Sequence, residues 1–165
     1  MSETLSSLMI EKLNQAYTAE KLALENLPKL AEAASSPTLK QAFQNHVQET
    51  QQQVSRLEQA AKQMGTTAEG APCEAMEGLA AEGQRLISEH QPGPILDVLL
   101  VAAAQAIEHH EIAAYGTMRS LAASSGMQEV ADLLGQTLAE EKATDEKLTA
   151  LAESEINPAA LQKAA

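Results

Sequence analysis

The chain has 165 residues and a formal net charge of −12, which disfavours nucleic acid and anionic membranes as partners and suits the attraction of cations. Its helix-forming composition, with one Phe, two Tyr and no Trp, predicts a single all-helical domain without a sheet. A single cysteine excludes an internal disulfide and fits a reducing compartment. The sequence shows neither the basic start of a signal peptide nor an apolar run near the ~20 residues that span a bilayer, so we expect a cytoplasmic protein.

Apolar residues recur at helical spacing in the first part of the chain. They predict a first helix over about residues 3–34, which Pro28 should bend. Ser36 and Pro37 then suit the N-cap and first position of a second helix over about 37–64, which ends before Gly65. The segment 65–93 is rich in Gly and Pro and contains a shorter helical stretch.

Two further long helices are predicted over about 94–123 and 127–154, joined by a Ser-Ser-Gly turn. Residues 1–157 would form one domain and residues 158–165 a loosely ordered tail. An up-down-up-down bundle needs only a short loop between its second and third helices, whereas a ferritin-like bundle needs a connection that runs its full length. The long segment 65–93 therefore predicts a ferritin-like four-helix bundle of two antiparallel hairpins with a crossover helix between them.

Each of the four long helices carries an acidic side chain where the core of a bundle should be apolar. A buried carboxylate is costly unless it is paired or binds a metal. Four interrupted apolar stripes suggest one shared cause, and a carboxylate-rich metal site in the bundle core is the simplest. The residues that interrupt the stripes are Glu20, Glu49, Glu108 with Glu111, and Glu141.

The distances of these residues from the turns place them at one level of the bundle. The midpoint of Glu20 and Glu49 lies beside Ser35, and the midpoint of Glu108 and Glu141 lies in the Ser-Ser turn. Each Glu is about 15–17 residues from its turn, or roughly 22–25 Å along a helix. Docking of the two hairpins should therefore bring all four helices' carboxylates together at mid-bundle.

Di-iron and di-manganese bundles take one Glu from each of two helices and Glu-x-x-His from each of the other two. Glu108-x-x-Glu111 has this spacing, but positions 52 and 144 carry Gln and Thr instead of His. An oxygen-rich ligand set favours Fe or Mn, and the predicted cofactor is a pair of such ions. Three further side chains could bind the metal or hydrogen-bond to a ligand: Asp145, Gln53 and His46.

Several segments resemble the YciE/YciF-type ferritin-like proteins of bacteria: AYTAEKLALENLPKLAEAASSPTLKQAF, HVQETQQQVSRLE, CEAMEGLAAEG, EHHEIAAYGTMRSLA and TLAEEKATDEKL. The resemblance covers about residues 10–157. It implies a ferritin-like bundle with a crossover helix, an association with stress, a dinuclear metal site and a homodimer, without a firmly assigned activity. The positions that match the family's site are Glu20, Glu49, Glu108, Glu111 and Glu141. At position 53 the family can carry His, and this chain has Gln.

Two functions fit this pattern. The first is a metal-binding protein with a dinuclear Fe or Mn site capable of oxidoreductase chemistry on O2 or peroxide. The alternative is a non-catalytic, stress-related helical scaffold or interaction protein with a degenerate metal site, which Gln53 and the missing Glu-x-x-His favour. A storage cage would be a third option and would require a large symmetric oligomer.

Several other side chains near the predicted site have more than one interpretation. Tyr17 and Tyr115 lie one turn from acidic residues, where they could pack in the core, hydrogen-bond to metal ligands or relay an electron. His109 and His110 are about 100° apart on a helix, so both cannot face the core. Cys73, at the start of the crossover helix, is expected to be structural.

Overall fold

Helices account for most of the chain in the computed structural model, which describes residues 4–164. The elements are α1 (Leu5–Ala33), α2 (Pro37–Gln63), α3 (Glu74–Glu89), α4 (Pro94–Ser124), α5 (Gln128–Leu151) and α6 (Asn157–Ala164), with a π-helical turn (Ala152–Ile156) between α5 and α6. The described residues form no strand, so the predicted all-α class is confirmed. None of the helices within residues 4–164 is both long and apolar enough to cross a membrane.

The ends of the long helices follow from the local sequence. The Ser36 hydroxyl accepts a hydrogen bond from the Leu39 N–H, and Pro37 occupies the first position of α2, where no backbone donor is needed. Gly65 and Gly126 follow α2 and α4 with φ of +73° and +75°. Because side chains disfavour this left-handed conformation, glycine is suited to ending both helices.

The four long helices pack as two hairpins, α1 with α2 and α4 with α5, and the hairpins meet through the α1–α4 and α2–α5 contacts. The Asp97 carboxylate, near the start of α4, accepts hydrogen bonds from the Ser35 and Ser36 N–H groups in the α1–α2 turn. Since α2 leads away from this turn, the chain must return along the bundle before α4 begins. The 16-residue α3, about 24 Å long, packs against α1 and α4 and provides this crossover.

We expect Asp97→Ala to lower the free energy of unfolding by about 2–3 kcal/mol, because two hydrogen bonds to a buried carboxylate are lost. Urea unfolding followed by circular dichroism would measure the change. Asp132→Ala is the matched control, since Asp132 is exposed and accepts a hydrogen bond from its neighbour Gln128 alone. Equal midpoints for the two variants would show that the contact does not stabilise the turn.

Among the described residues, the core consists of two large apolar clusters separated by polar side chains, and a smaller third cluster of Ala19, Cys73, Met76 and Ile107 where α3 packs against α1 and α4. One cluster lies toward the α1–α2 turn and contains Ala23, Leu27, Leu30, Leu39, Phe43, Leu96, Leu100, Leu148 and Ile156, among others. The other lies toward the opposite end and contains Met9, Leu13, Leu57, Tyr115, Met118, Val130 and Leu134, among others. Between them lies a polar layer of buried side chains: Glu20, His46, Thr50, Gln53, Glu108, Glu111, Thr137, Glu141 and Thr144.

The C-terminal segment differs from the sequence expectation of a last helix to residue 154 and a loose tail from 158. The regular α-helix ends at Leu151, five residues form the π-helical turn, and α6 follows over Asn157–Ala164. Ile156 packs into the apolar cluster near the α1–α2 turn, and Ala160 is also buried. Pro158 lies in the first turn of α6, a position that tolerates proline and favours helix initiation.

Candidate metal centre

Four side chains of the polar layer converge at the middle of the bundle. His46 of α2, Glu108 and Glu111 of α4, and Glu141 of α5 each offer a ligand atom, and these atoms lie within 4.8 Å of one another. All four residues are buried, the most exposed being His46 at 4%. The arrangement therefore combines three carboxylates and one imidazole in a small volume of the bundle core.

Six buried carboxylate oxygens in this layer have no hydrogen-bond donor apart from another carboxyl group. They are Oε2 of Glu20, Oε2 of Glu108, both oxygens of Glu111 and both oxygens of Glu141. Buried polar atoms in proteins are nearly always hydrogen-bonded or bound to a metal, because lost hydration is otherwise not replaced. The donor set thus fits one or more cations, and protons must compensate the carboxylates when no metal is present.

His46 provides the first positive charge for these carboxylates. Its Nδ1 lies 3.2 Å from Oε2 of Glu49, and its Nε2 lies 3.2 Å from Oε1 of Glu108 and 3.8 Å from Oε2 of Glu141. Burial alone would lower the pKa of His46, but hydrogen bonds to Glu108 and Glu49 raise it well above its ordinary value. These contacts therefore favour the protonated imidazole in the metal-free protein.

The carboxyl groups retain protons as well. Burial, which outweighs the hydrogen bond from Tyr115, raises the pKa of Glu20 from 4.5 to about 7. Burial, followed by a hydrogen bond with Glu108 and the nearby negative charges, raises the pKa of Glu141 to about 10. Burial and neighbouring carboxylates also raise the pKa of Glu111 well above its ordinary value. Like charges that share a buried site cannot all ionise unless a metal replaces the protons.

Glu20 approaches the cluster from α1 and is held by Tyr115. The Tyr115 hydroxyl donates a hydrogen bond to Oε1 of Glu20, which leaves Oε2 without a donor. Burial raises the pKa of Tyr115 well above its ordinary value, so the hydroxyl remains a neutral donor. Of the two tyrosines considered from sequence, Tyr115 is therefore the one bonded to a site residue, whereas the Tyr17 hydroxyl donates to Glu58 away from the cluster.

Glu49 lies at the edge of the four-residue cluster and is 34% exposed. It contacts Nδ1 of His46, accepts a hydrogen bond from the Thr144 hydroxyl at 3.4 Å, and lies 3.9 Å from Nζ of Lys147. The hydrogen bond from His46 is the main reason that the pKa of Glu49 lies below its ordinary value. A carboxylate at this position fixes the orientation of the imidazole, so that Nε2 faces the other carboxylates.

Asp145 and Gln53 have other partners in the structure. Asp145 accepts a hydrogen bond from Gln105 at 3.0 Å and lies 3.2 Å from Nε2 of His109, on the outside of the bundle. Gln53 is fully buried, and its amide donates to Glu140 at 3.2 Å, which leaves its own carbonyl oxygen without a donor. Neither side chain is among the four that converge.

Arg56 was not anticipated from the sequence. Its guanidinium donates two hydrogen bonds, of 2.6 and 2.7 Å, to the Glu140 carboxylate and also contacts the Thr137 hydroxyl. The pair joins α2 to α5 beside the cluster, and the same Glu140 accepts from Gln53. A signal was present in the sequence, because Arg56 lies three residues after Gln53 and Glu140 directly precedes Glu141.

Two pockets reach the cluster from the surface. The first, which we call the α1–α4 pocket, has a volume of about 270 Å³, and its lining includes Glu111, Tyr115, Cys73 and His110. The second, the α2–α5 pocket, has a volume of about 300 Å³, and its lining includes His46, Glu49, Glu108 and Thr144. Small molecules and ions can therefore approach the buried carboxylates from two sides of the bundle.

Two hairpins, a crossover helix and a carboxylate cluster at mid-bundle define a ferritin-like helical protein. A family model described as a domain of unknown function (DUF892) matches residues 4–161, and the chain belongs to that family. It is 42% identical to protein YciF of Escherichia coli strain K12 over 163 residues, which cover 98% of both sequences. The family resemblance predicted from the sequence is thereby confirmed.

Solved structures agree with this assignment. The crystal structure of the E. coli stress protein YciF superposes with a TM-score of 0.90 at 41% identity, covering 94% of this chain and 99% of that one. YcfI from Rhodopseudomonas palustris superposes with a TM-score of 0.87 at 37% identity, covering 89% and 94%. A ferritin-like, diiron-carboxylate protein from Bacillus anthracis str. Ames has a TM-score of 0.70 at 20% identity, covering 91% and 99%, and so shares the fold.

Proposed function

We propose that this chain is a metal-binding ferritin-like protein with a dinuclear Fe or Mn site in its polar layer. The observation that carries the proposal is a group of six buried carboxylate oxygens that accept no hydrogen bond from an N–H group or a hydroxyl. They lie in the same layer as the His46 imidazole. A set of carboxylates with a single nitrogen ligand suits Fe(II) and Mn(II) better than softer metals. The diiron-carboxylate description of the B. anthracis neighbour supports the same proposal.

The residues that would hold the metals are His46, Glu108, Glu111 and Glu141, with Glu20 as the ligand from α1. Glu49 would position His46 or bind a metal itself, because it contacts both the imidazole and the α2–α5 pocket. Metal binding would release the protons of Glu20, Glu111, Glu141 and His46 to solvent, since ligands must be deprotonated.

When bound, a pair of Fe or Mn ions would supply the electrons for the reduction of O2 or peroxide. The chain contributes the rest of the environment. Tyr115 donates a hydrogen bond that orients Glu20, and Glu49 orients His46. The two apolar clusters exclude water on either side of the layer, and the two pockets admit small molecules to it. We further propose a role in bacterial stress, supported by the description of YciF as a stress protein, and a cytoplasmic homodimer.

Metal content is the direct test of this function. Protein purified without chelator, and again after anaerobic loading with Fe(II) or Mn(II), should contain about two metal ions per chain by elemental analysis. Glu108→Ala should lose both ions, whereas Glu129→Ala, a change at an exposed residue of α5, should lose neither. Equal metal contents in the two variants would place any bound metal outside the polar layer.

A second candidate function is a helical scaffold whose metal site has degenerated. The observation that favours it is Gln53, which directs its amide N–H toward Glu140 and stands where the resembling family can carry His. In this case Fe(II), Mn(II) and chelator would leave the melting temperature unchanged. A metal that binds the folded state alone would instead raise stability by about 2.7 kcal/mol at a concentration of 100 Kd.

A further inference from the structure

The α1–α4 pocket contains a thiol and an imidazole that the proposed centre does not use. Sγ of Cys73 lies 3.6 Å from Nε2 of His110. Cys73 precedes α3 and His110 lies on α4, so the crossover helix brings together two residues that are 37 positions apart. Both side chains line the pocket.

The separation of these two atoms matches that of two ligands of one metal ion. A divalent transition metal lies about 2.3 Å from a cysteine sulfur and about 2.0–2.1 Å from a histidine nitrogen. At a tetrahedral angle, these bond lengths place the sulfur and the nitrogen roughly 3.5–3.6 Å apart. The pair could therefore accept an ion without movement of the backbone. Thiolate and imidazole together suit borderline metals such as Zn(II), Co(II) and Fe(II).

A second observation also points to a cation in this pocket. Glu111 lines the same pocket, is 2% exposed and has no hydrogen-bond donor for either of its oxygens. The pocket is therefore lined by a sulfur, an imidazole nitrogen and a carboxylate of the central cluster.

We propose that Cys73 and His110 form an outer binding site for a divalent transition-metal ion, from which the ion moves on to Glu111. The transfer half of this proposal rests on the proposed function, whereas the outer site itself does not. When the ion binds, a metal–sulfur bond and a metal–nitrogen bond form, and the thiol proton leaves to solvent. No electron is transferred, and water molecules fill the remaining coordination positions.

Cobalt(II) provides a test that does not depend on activity. Added anaerobically to the metal-free protein, it should produce the intense near-ultraviolet charge-transfer band of a thiolate–cobalt bond. The band should disappear in Cys73→Ser and weaken in His110→Ala. It should remain in His109→Ala, the matched control, because His109 is exposed and contacts Asp145 instead. Absence of the band from the wild-type protein, or its persistence in Cys73→Ser, would overturn the outer site.

The transfer half is tested by the rate of loading. Fe(II) is added anaerobically to the metal-free protein, free ions are removed at set times, and bound metal is measured by elemental analysis. We expect Cys73→Ser to reach the wild-type content several-fold more slowly. An unchanged rate would overturn the transfer. Glu108→Ala separates the outer site from the proposed central site, since this variant should lose the central ions and keep the cobalt–thiolate band. If the central site of the wild-type protein bound no metal, the cobalt–thiolate band should still be present.

Discussion

Glu141→Gln should make the metal-free protein more stable and remove its response to metal. At pH 7 Glu141, whose pKa is raised to about 10, is protonated in the folded protein, whereas in the unfolded chain its pKa is near 4.5 and it is ionised. Each unit of that difference corresponds to about 1.4 kcal/mol, so protonation at pH 7 costs roughly 3 kcal/mol of folding free energy. Glutamine does not titrate, and its amide can still donate to Glu108. Urea unfolding in chelator should show the gain, and titration with Mn(II) should show the lost stabilisation.

Glu146→Gln is the matched control for this experiment, because Glu146 lies on the same helix and is exposed. It should change the midpoint in chelator by less than about 0.5 kcal/mol and retain the full response to Mn(II). If Glu141→Gln destabilised the metal-free protein, Glu141 would have to be an ionised carboxylate paired with a cation, and the protonated state inferred for it at pH 7 would be wrong. If it still bound two metals, Glu141 would not be a ligand.

The metal-free wild-type protein should lose stability as the pH rises from about 5 to about 9. Glu20 and Glu141 have folded-state pKa values of about 7 and about 10, above the value of 4.5 in the unfolded chain. His46 is likewise raised above 6.5. Each group binds more protons in the folded than in the unfolded state between its unfolded-state and folded-state pKa values. Stability therefore falls with increasing pH. The contribution of Glu20 is lost as the pH rises through its folded-state pKa of about 7, and that of Glu141 as the pH approaches its folded-state pKa of about 10.

Urea midpoints measured in chelator at several pH values would check this prediction. Glu49 acts in the opposite direction, because its pKa is lowered in the folded protein. Its contribution to stability is lost as the pH falls below 4.5, so the midpoints should be measured above that value. In the presence of saturating Mn(II) the trend should weaken or reverse, since metal displaces the same protons. A midpoint that is flat or that increases from pH 5 to pH 9 in chelator would contradict the pKa shifts.

Much of the fold could be predicted because its determinants are local. Ser36 with Pro37, and the glycines at 65 and 126, mark helix ends by backbone preferences that need no knowledge of the tertiary structure. The crossover followed from chain length alone, since the segment 65–93 is too long for a hairpin loop. The C-terminal helix escaped prediction because its stabilisation is tertiary: Ile156 packs against residues far away in the sequence.

The burial of most candidate ligands was predictable from the sequence, and their arrangement around one another was less so. Helical spacing placed Glu20, Glu108, Glu111 and Glu141 on inward faces, and the structure buries all of them. On α2, however, His46 and Glu49 are one turn apart and both lie on the same stripe. Spacing could not decide which one points inward, because a small rotation of the helix exchanges them. The pairing of Arg56 with Glu140 depends on how α2 faces α5, which no local pattern specifies.

The polar layer divides the bundle into two apolar halves, each built from residues of all four long helices. The fold thus keeps its hydrophobic stabilisation even when a ligand is replaced, and the replacement removes the free-energy cost of protonating a buried carboxyl group. Random substitution would therefore tend to erase the carboxylates and leave a more robust helical protein. This chain nevertheless keeps four buried glutamates. Their presence indicates selection for the chemistry of the polar layer at the expense of the stability of the fold.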